Sequence, residues 1–209
     1  MTDTNGWLPQ DYKEPVTSNY MNFEEGSNLF RILGKFSDGT AIMGFEYWKT
    51  LTVDGKPKRS PIRVKQDVVI NSDEIELNPK TGQPDFPKFF WAVPVFNYSV
   101  MKVQLLEIKQ RTVRQAIVAL TKNPKWGDPS TYDICVNRVE DSGKTSYTVT
   151  PDPKSEIEPE ILKVYESMKI NINALFNKDS NTPGADPFAP VNQAESLAEE
   201  ADKILKEAK

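Results

Sequence analysis

The side chains in this chain with evident binding chemistry are basic and aromatic, and they are concentrated in its centre. Residues 31–130 hold sixteen Lys or Arg against ten acids, whereas residues 1–30 have a net charge of -4 and residues 131–209 a net charge of -6. The same central region contains eleven of the 21 aromatic residues. Cations attract phosphates, and aromatic rings stack on unpaired bases. The distribution therefore favours an interface for single-stranded nucleic acid, although the whole chain has a charge of -4.

Twelve residues are candidates for DNA contacts. The basic ones come from strand faces, one loop and one helix, and they are Arg31, Lys35, Lys56, Lys58, Arg59, Arg63, Lys65, Arg111 and Arg114. Trp48 falls opposite the apolar face of its predicted strand, so we expect it to be displayed for base stacking. Tyr98 and Trp126 complete the set. The alternative is an ordinary solvated sheet face, which is the commonest environment of Lys and Arg.

Residues for several common reaction types are missing. The chain has no His, which removes the usual general base at neutral pH, the His-paired nucleophiles and the commonest zinc ligand. Its one Cys, Cys135, lies in an apolar run and is interpreted as a small core residue. No apolar run is long enough to span a membrane, and the start does not resemble a signal peptide. We therefore expect a non-enzymatic protein without metal, organic cofactor or membrane partner.

One enzymatic alternative depends on a short motif. Pro84-Asp85, followed by Glu107-Ile108-Lys109, matches the PD...(D/E)xK spacing of metal-dependent nucleases. In those sites two carboxylates hold Mg²⁺ and the Lys helps to activate water. The pattern is common by chance, and Asp85 lies in an irregular segment. A second, non-enzymatic alternative is an accessory protein whose basic face binds an acidic protein.

The elements that must position these residues are mainly strands. Period-two alternation predicts them over Leu29–Phe36, Ala41–Leu51, Ile62–Val64, Phe89–Phe96, Lys102–Ile108, Tyr132–Val139 and Thr145–Val149. Residues 56–59 are expected to form a basic loop after the Asp54-Gly55 turn, and residues 71–88 receive no element. Helical spacing predicts one helix over Gln110–Thr121, which Asn123-Pro124 ends.

The same alternation predicts which side chains face the core. In the first strand Phe30, Ile32 and Phe36 lie on the apolar face, and Arg31 and Lys35 lie on a basic face. In the second strand the apolar face consists of Met43, Phe45, Tyr47 and Leu51. The other large rings of the apolar runs, such as Phe90, Trp91 and Phe96, are expected to fill the core, as are Phe45 and Tyr47.

Five or six strands with one helix between the later ones are the arrangement of an OB-like barrel. The sequence therefore predicts a mainly β fold: an OB-like antiparallel β-barrel with one central helix, short C-terminal helices and a flexible acidic tail. The expected division is an N-terminal arm (1–18), the OB-like single-stranded-DNA-binding domain (19–153), an appended helical segment (154–176) and the tail (177–209). The tail contains a Pro-rich linker over 179–190 and a terminal helix over 193–207. It is either solubilising, or it competes with DNA and docks partners.

Several motifs occur in an order that resembles one protein family. They are Asn19-Tyr20-Met21-Asn22-Phe23-Glu24-Glu25-Gly26, Phe30-Arg31-Ile32-Leu33, Gly44-Phe45-Glu46-Tyr47-Trp48, Phe90-Trp91-Ala92, Leu106-Glu107-Ile108, Asn123-Pro124-Lys125-Trp126-Gly127-Asp128-Pro129 and Tyr132-Asp133-Ile134. Together, from about Asn19 to Pro153, they resemble single-stranded-DNA-binding proteins encoded by tailed bacteriophages. The resemblance implies an OB-fold protein that coats and protects single strands during phage DNA replication, recombination or repair, in the cytoplasm of the infected bacterial host.

A second, shorter resemblance concerns the C-terminal region. Gly184-Ala185-Asp186-Pro187-Phe188 is similar to the acidic tail ending in Pro-Phe by which bacterial single-strand-binding proteins recruit partners. Here twenty-one residues follow the Phe, so no terminal carboxylate lies beside it. The similarity implies replication or recombination proteins as partners of this region.

Overall fold

Residues 18–53, 55–177 and 184–189 are described by a computed structural model. The strands are β1 (Tyr20–Met21), β2 (Gly26–Ile32), β3 (Ile42–Val53), β4 (Lys56–Lys65), β5 (Lys88–Asn97), β6 (Lys102–Ile108), β7 (Asp133–Asp141) and β8 (Lys144–Pro151). The α-helices are α1 (Arg111–Lys122) and α2 (Pro159–Met168), and short 3₁₀ helices cover Ser72–Glu74, Pro129–Thr131 and Ile172–Leu175. The predicted mainly β class is confirmed. The N-terminal arm, apart from Ser18, and the predicted terminal helix lie outside the described residues.

β5 is the centre of an eight-stranded mixed sheet. On one side it pairs with β6, and on the other it pairs first with β3 and then with β2. β2 also pairs with β7, β7 with β8, and β3 with β4, all antiparallel. The expectation of purely antiparallel pairing is wrong at β1, which runs parallel to the outer edge of β6. Within the described residues the strand pairing does not close into a barrel.

The sequence of β5 explains its central position. It is a nearly continuous apolar run, which is typical of a strand buried on both faces. Val93 and Val95 contribute to a core on one face, while Phe90 and Ala92 contribute to a second core on the other. Pro94 lies in this central strand, although a Pro cannot donate to the ladder and is usually confined to edges or bulges. It falls between the segments that pair with β3 and with β2, where the ladder changes partner.

Helix α1, which follows β6 and precedes β7 in the chain, covers one face of the sheet. Val113 and Ile117 are buried against Ile108, Tyr132 and other residues of the main core. The helix ends at the predicted Asn123-Pro124 stop, and the amide of Asn123 donates to the carbonyl of Leu120. The predicted central helix is therefore confirmed.

The opposite face is covered by Ile172–Leu175 and by residues 184–189. The amide of Ala185 donates to the carbonyl of Ala174 (2.7 Å), and the amide of Asn171 donates to that of Pro187 (2.9 Å). Pro187 is buried, and the ring of Phe188 packs edge-on against Tyr20 at 5.9 Å. The expectation of a flexible tail is therefore wrong for residues 184–189, because they form part of this second core.

The β3–β4 hairpin extends beyond the main sheet as an arm with its own small core of Tyr47, Leu51 and Ile62. Glu74 and Glu76, from the segment that received no predicted element, accept hydrogen bonds from the Tyr47 hydroxyl and from Thr50. Residues 56–59 belong to strand β4 and not to a loop, because the ladder with β3 continues to the end of the hairpin.

Candidate nucleic-acid interface

Arg31 is a buried structural residue. It is 1% exposed, its Nε donates to Asp133 Oδ1 at 2.5 Å, and its guanidinium also donates to the carbonyl and hydroxyl of Ser155 at 3.0 and 2.7 Å. The predicted exposed position of Arg31 is wrong. The consecutive residues Phe30, Arg31 and Ile32 of β2 are all buried, so both faces of the strand are covered here and alternation does not separate a core face from a solvent face.

Lys35 and Phe36 lie in the connection between β2 and β3, because β2 ends at Ile32. Gly34 allows the sharp return of this connection, since a Cβ there would lie 2.5 Å from the carbonyl oxygen of Thr40. The Lys35 ammonium is about half exposed and donates to Asp128 Oδ2 at 2.8 Å. The predicted strand position of both residues is wrong, but Lys35 remains accessible.

Trp48 lies on the face of β3 opposite to Phe45 and Tyr47, as the alternation predicted. It is half-buried and pairs directly with Pro61 of β4. Arg59 and Arg63 pair with the residues two positions to either side of Trp48 on the same strand face. The structure therefore brings Trp48 together with two of the predicted basic residues.

Those two arginines are held in ion pairs. Arg59 Nη2 lies 2.9 Å from Asp85 Oδ2. Arg63 lies 2.8 Å from both Glu46 and Glu107, and Lys109 donates to Glu46 at 2.8 Å.

Glu46 is 6% exposed within this network. Burial alone would raise its pKa, but the hydrogen bond from Lys109 and the charges of Lys109 and Arg63 outweigh that effect and lower it. For Arg63, burial would lower the pKa, but the charges of Glu107 and Glu46 raise it. Arg63 thus links β3, β4 and β6.

Three predicted lysines are exposed on the hairpin arm, namely Lys56, Lys58 and Lys65. Their strand positions divide them between two faces. Lys56 and Lys58 share the face of Leu51 and Tyr47, whereas Lys65 is on the opposite face with Arg59 and Arg63. The basic residues predicted as one cluster therefore do not form a single surface.

Tyr98 and Trp126 both contribute to packing. The Tyr98 hydroxyl donates to Asp133 at 2.9 Å, and burial, together with the hydrogen bond and charge of Asp133, raises the pKa of Tyr98 to about 12. Trp126 is half-buried, with its ring edge-on to Tyr132 at 5.4 Å. The Lys125 ammonium lies 5.1 Å from the centre of the Trp126 ring.

The residues of the nuclease motif lie in separate ion-pair clusters. Asp85 contacts Arg59 and Lys88, whereas Glu107 contacts Arg63 and Lys109. Across the described ranges, no group of three or more acidic, Cys or His side chains is placed to hold a metal ion. The arrangement therefore offers nothing in favour of the nuclease alternative.

A row of partly exposed apolar side chains lies on the face of the sheet that carries α1. Phe45 of β3 is opposite Phe89 of β5, with ring centroids 5.2 Å apart. The neighbouring pair is Met43 opposite Trp91, and the ring of Phe36 packs edge-on against Trp91 at 5.2 Å. Phe36 is 39% exposed, and the other four side chains are half-buried. These five residues are called the aromatic row below.

Two predicted arginines lie in the first turn of α1, and one of them, Arg114, lies beside the aromatic row. The Arg114 guanidinium is 5.2 Å from the ring centre of Phe89 and donates to the carbonyls of Ile108 and Lys109 at 3.0 and 2.7 Å. Arg111 is exposed. Burial and the like charge of Arg111 lower the pKa of Arg114. This first turn contains no acid, so the arginines add to the partial positive charge of the helix N-terminus and favour an anion.

Sequence reasoning missed most of the aromatic row. The burial expected of Tyr47, Phe90 and Phe96 is confirmed, but Phe45 and Trp91 are only half-buried. The available signal was the i, i+2 spacing of Phe89 and Trp91, which places both rings on one strand face. The sequence does not show that α1 covers that face only in part.

No protein-family model matches the chain, and no curated protein matches its sequence significantly. Neither of the described α-helices has the length and apolar composition that a membrane crossing requires.

Proposed function

We propose that this protein binds single-stranded DNA along the aromatic row and does no covalent chemistry on it. The observation that carries the proposal is the alignment of four partly exposed aromatic rings next to Arg114, in a helix turn that also carries the exposed Arg111. Every base has an aromatic face, so such rings bind single strands with little sequence preference, at about 1–3 kcal/mol per stacked base. The arginines supply positive charge for the phosphates that join those bases.

The face of the aromatic row continues onto the hairpin arm. Lys58 is opposite Leu51, which lies six residues beyond Phe45, or roughly 20 Å along the strand. Tyr47 and Leu51 lie between them, packed against Ile70 and held by Glu74, so a strand stacked on Phe45 and Phe89 reaches Lys58 and Lys56 only by crossing over that segment. Phosphate contacts of this kind make affinity strongly dependent on salt.

The finer assignment that we propose is an OB-like arrangement. Helix α1 between β6 and β7 agrees with the single helix expected between the later strands. The position of this helix and the resemblance of the motifs to phage single-stranded-DNA-binding proteins together support a protein that coats and protects displaced strands. It would act during phage replication, recombination or repair in the host cytoplasm. Because Phe188 is packed into the fold, we assign binding of replication or recombination partners to the acidic region after Ala189.

The proposal is tested by titrating the protein with labelled single strands and with duplexes of the same sequence, in the presence of Mg²⁺. We expect selective binding of intact single strands. Phe36→Ala should weaken that binding by about 1–3 kcal/mol, because it removes one stacking ring.

Phe86→Ala is the matched control, since Phe86 is 64% exposed but lies outside the aromatic row. It should change the binding free energy by less than about 0.5 kcal/mol. Equal losses in the two variants, or equal affinity for duplex and single strand, would contradict the assignment of this face. Cleavage of the DNA would contradict the non-enzymatic part.

A further inference from the structure

The aromatic row ends at Phe36 beside a cavity whose rim carries two opposite charges. Phe36, Met43 and Trp91 of the aromatic row line this cavity of about 370 Å³, and Lys35 and Asp128 line it as well. The Lys35 ammonium lies 2.8 Å from Asp128 Oδ2. A DNA strand has a phosphate beside every base, so a strand stacked on Phe36 brings a phosphate close to this ion pair.

Asp128 is held in place independently of Lys35. Its other carboxylate oxygen, Oδ1, accepts from the amide and the hydroxyl of Ser130 at 2.9 and 2.8 Å. Its carbonyl accepts from the amide and the hydroxyl of Thr131 at 3.1 and 2.7 Å. The Asp128 side chain is 44% exposed, so water can solvate Oδ2 when the ammonium leaves. Release of Lys35 therefore neither moves Asp128 nor buries an unpaired charge.

Lys35 combines a fixed backbone with a movable ammonium. Its amide donates to the Thr40 hydroxyl at 2.8 Å, and its carbonyl accepts from the amide of Ala41 at 3.0 Å. Its side chain is 46% exposed on a flexible four-carbon stem. Asp38 also contributes negative charge near Lys35, but its carboxylate accepts from the amide and hydroxyl of Thr40. Asp128 is therefore the partner that the ammonium leaves when it moves to another anion.

Exchange of this partner costs little. An ion pair as exposed as Lys35–Asp128 changes an equilibrium by about fivefold or less. A phosphate of a strand that is already stacked on the aromatic row is held near Lys35 at a high effective concentration. Such a phosphate can compete with Asp128, whereas a free phosphate ion lacks this advantage.

We propose that Asp128 is an internal competitor of the bound strand for Lys35, an inference that rests on the function proposed above. In the free protein Asp128 neutralises Lys35. When a strand stacks on Phe36, the ammonium turns from Asp128 Oδ2 to a phosphate, and Asp128 stays bound to Ser130. Asp128 thereby lowers the affinity of the site for single strands.

The test is a double-mutant cycle of Asp128→Asn and Lys35→Gln, in which each variant is titrated with labelled oligo-dT at physiological ionic strength. Asn keeps an oxygen for Ser130 but does not neutralise Lys35, so Asp128→Asn should raise the affinity by about two- to fivefold. Lys35→Gln should lower the affinity, because it removes a phosphate contact. In the Lys35→Gln background, Asp128→Asn should change the affinity by less than about 1.5-fold, since no ammonium remains to be released.

Asp141→Asn is the matched control, because it removes the same charge from an exposed turn. Asp141 ends β7 and accepts from the Ser142 hydroxyl at 3.0 Å, but it forms no ion pair within the described part of the chain. This variant should change the affinity by less than about 1.5-fold. Asp128→Ser is a second neutral variant that can still cap the turn, and it should give the same gain as Asp128→Asn. Thermal unfolding of both variants checks that the turn is intact.

The outcomes separate this proposal from the proposed function. An equal gain from Asp128→Asn with and without Lys35 would overturn the competition, because Asp128 would then act only as a repulsive charge. No gain from either neutral variant, or a gain that Asp141→Asn matches, would also overturn it. In these cases wild-type binding that Phe36→Ala weakens leaves the proposed function in place. Absence of oligo-dT binding by the wild-type protein would overturn the proposed function and, with it, the exchange at Lys35.

Discussion

Two truncations that differ by twelve residues should have very different stabilities. A chain that ends at Asn177 loses residues 184–189, which complete the second core, whereas a chain that ends at Ala189 keeps them. The buried Pro187, the Phe188 ring against Tyr20 and two backbone hydrogen bonds to the 171–174 region are lost only in the shorter chain.

The size of the effect follows from these contacts. Truncating a fully buried Phe costs about 3–5 kcal/mol, so the half-buried Phe188 accounts for roughly half of that. Each of the two hydrogen bonds adds about 0.5–1.5 kcal/mol, and the ordering of the released segment offsets part of the total. We expect the chain ending at Asn177 to be less stable by about 2–4 kcal/mol. Phe188→Ala in the full chain should cost about 1–2 kcal/mol.

Urea unfolding followed by circular dichroism measures these differences directly. The chain ending at Ala189 is the matched control, and its free energy of unfolding should equal that of the full chain within about 0.5 kcal/mol. Equal stabilities for the two truncated chains would refute the view that residues 184–189 hold the second core together.

The chain that ends at Ala189 also tests whether residues 190–209 compete with DNA for the basic side chains. Ending the chain at Ala189 removes five acids and three lysines, so the net charge changes from -4 to -2. If residues 190–209 compete with DNA, this chain should bind single strands more tightly at low salt, and the difference should fade near physiological ionic strength. The chain ending at Asn177 is unsuitable for this measurement because its fold is weakened.

The remaining predictions concern four single side chains. Arg31→Gln should lower the free energy of unfolding by about 3–5 kcal/mol, because it leaves Asp133 without its buried partner. Lys58→Gln should leave stability unchanged, but it should flatten the slope of log affinity against log salt by about 0.7. Trp48→Ala should change single-strand binding by less than about 0.5 kcal/mol, because Trp48 lies on the face of β3 opposite the aromatic row, and a loss of about 1–3 kcal/mol would instead place the interface on that face. Because the pKa of Glu46 is lowered in the fold, its stabilising contribution is complete above the ordinary value of 4.5 and is lost as the pH falls through the folded pKa. Unfolding measured against pH should therefore show a smaller acid-induced loss for Glu46→Gln than for the wild-type protein.

The sequence predicted elements well where the pattern is local. Helical spacing and the Asn123-Pro124 stop located α1, and alternation placed Trp48 and Phe45 on opposite faces of β3. Both predictions depend only on residues within one element. They needed no information about which elements become neighbours.

The prediction was wrong where long-range pairing decides the environment. Arg31 looked exposed because its strand alternates, but Asp133, 102 residues away, and Ser155 bury it. Arg63 likewise joins Glu46 of β3 to Glu107 of β6. Phe30, Arg31 and Ile32 are consecutive and all buried, so both faces of β2 are covered at this point, and alternation within the strand cannot reveal that other segments pack on both faces.

The two faces of β5 differ in what they leave exposed. On one face Phe90 and Ala92 are covered by Ile172–Leu175 and residues 184–189, and the neighbouring charges of Glu46 and Arg63 neutralise each other. On the other face α1 covers Val93 and Val95 but leaves Phe89 and Trp91 half-buried. Arg114 of α1 lies at the uncovered end, beside Phe89. Its guanidinium donates to two carbonyls, and the ion pairs among the described residues give it no acidic partner. Since stacking needs accessible rings and phosphates need unneutralised cations, the α1 face meets both requirements, and the opposite face near Arg63 does not.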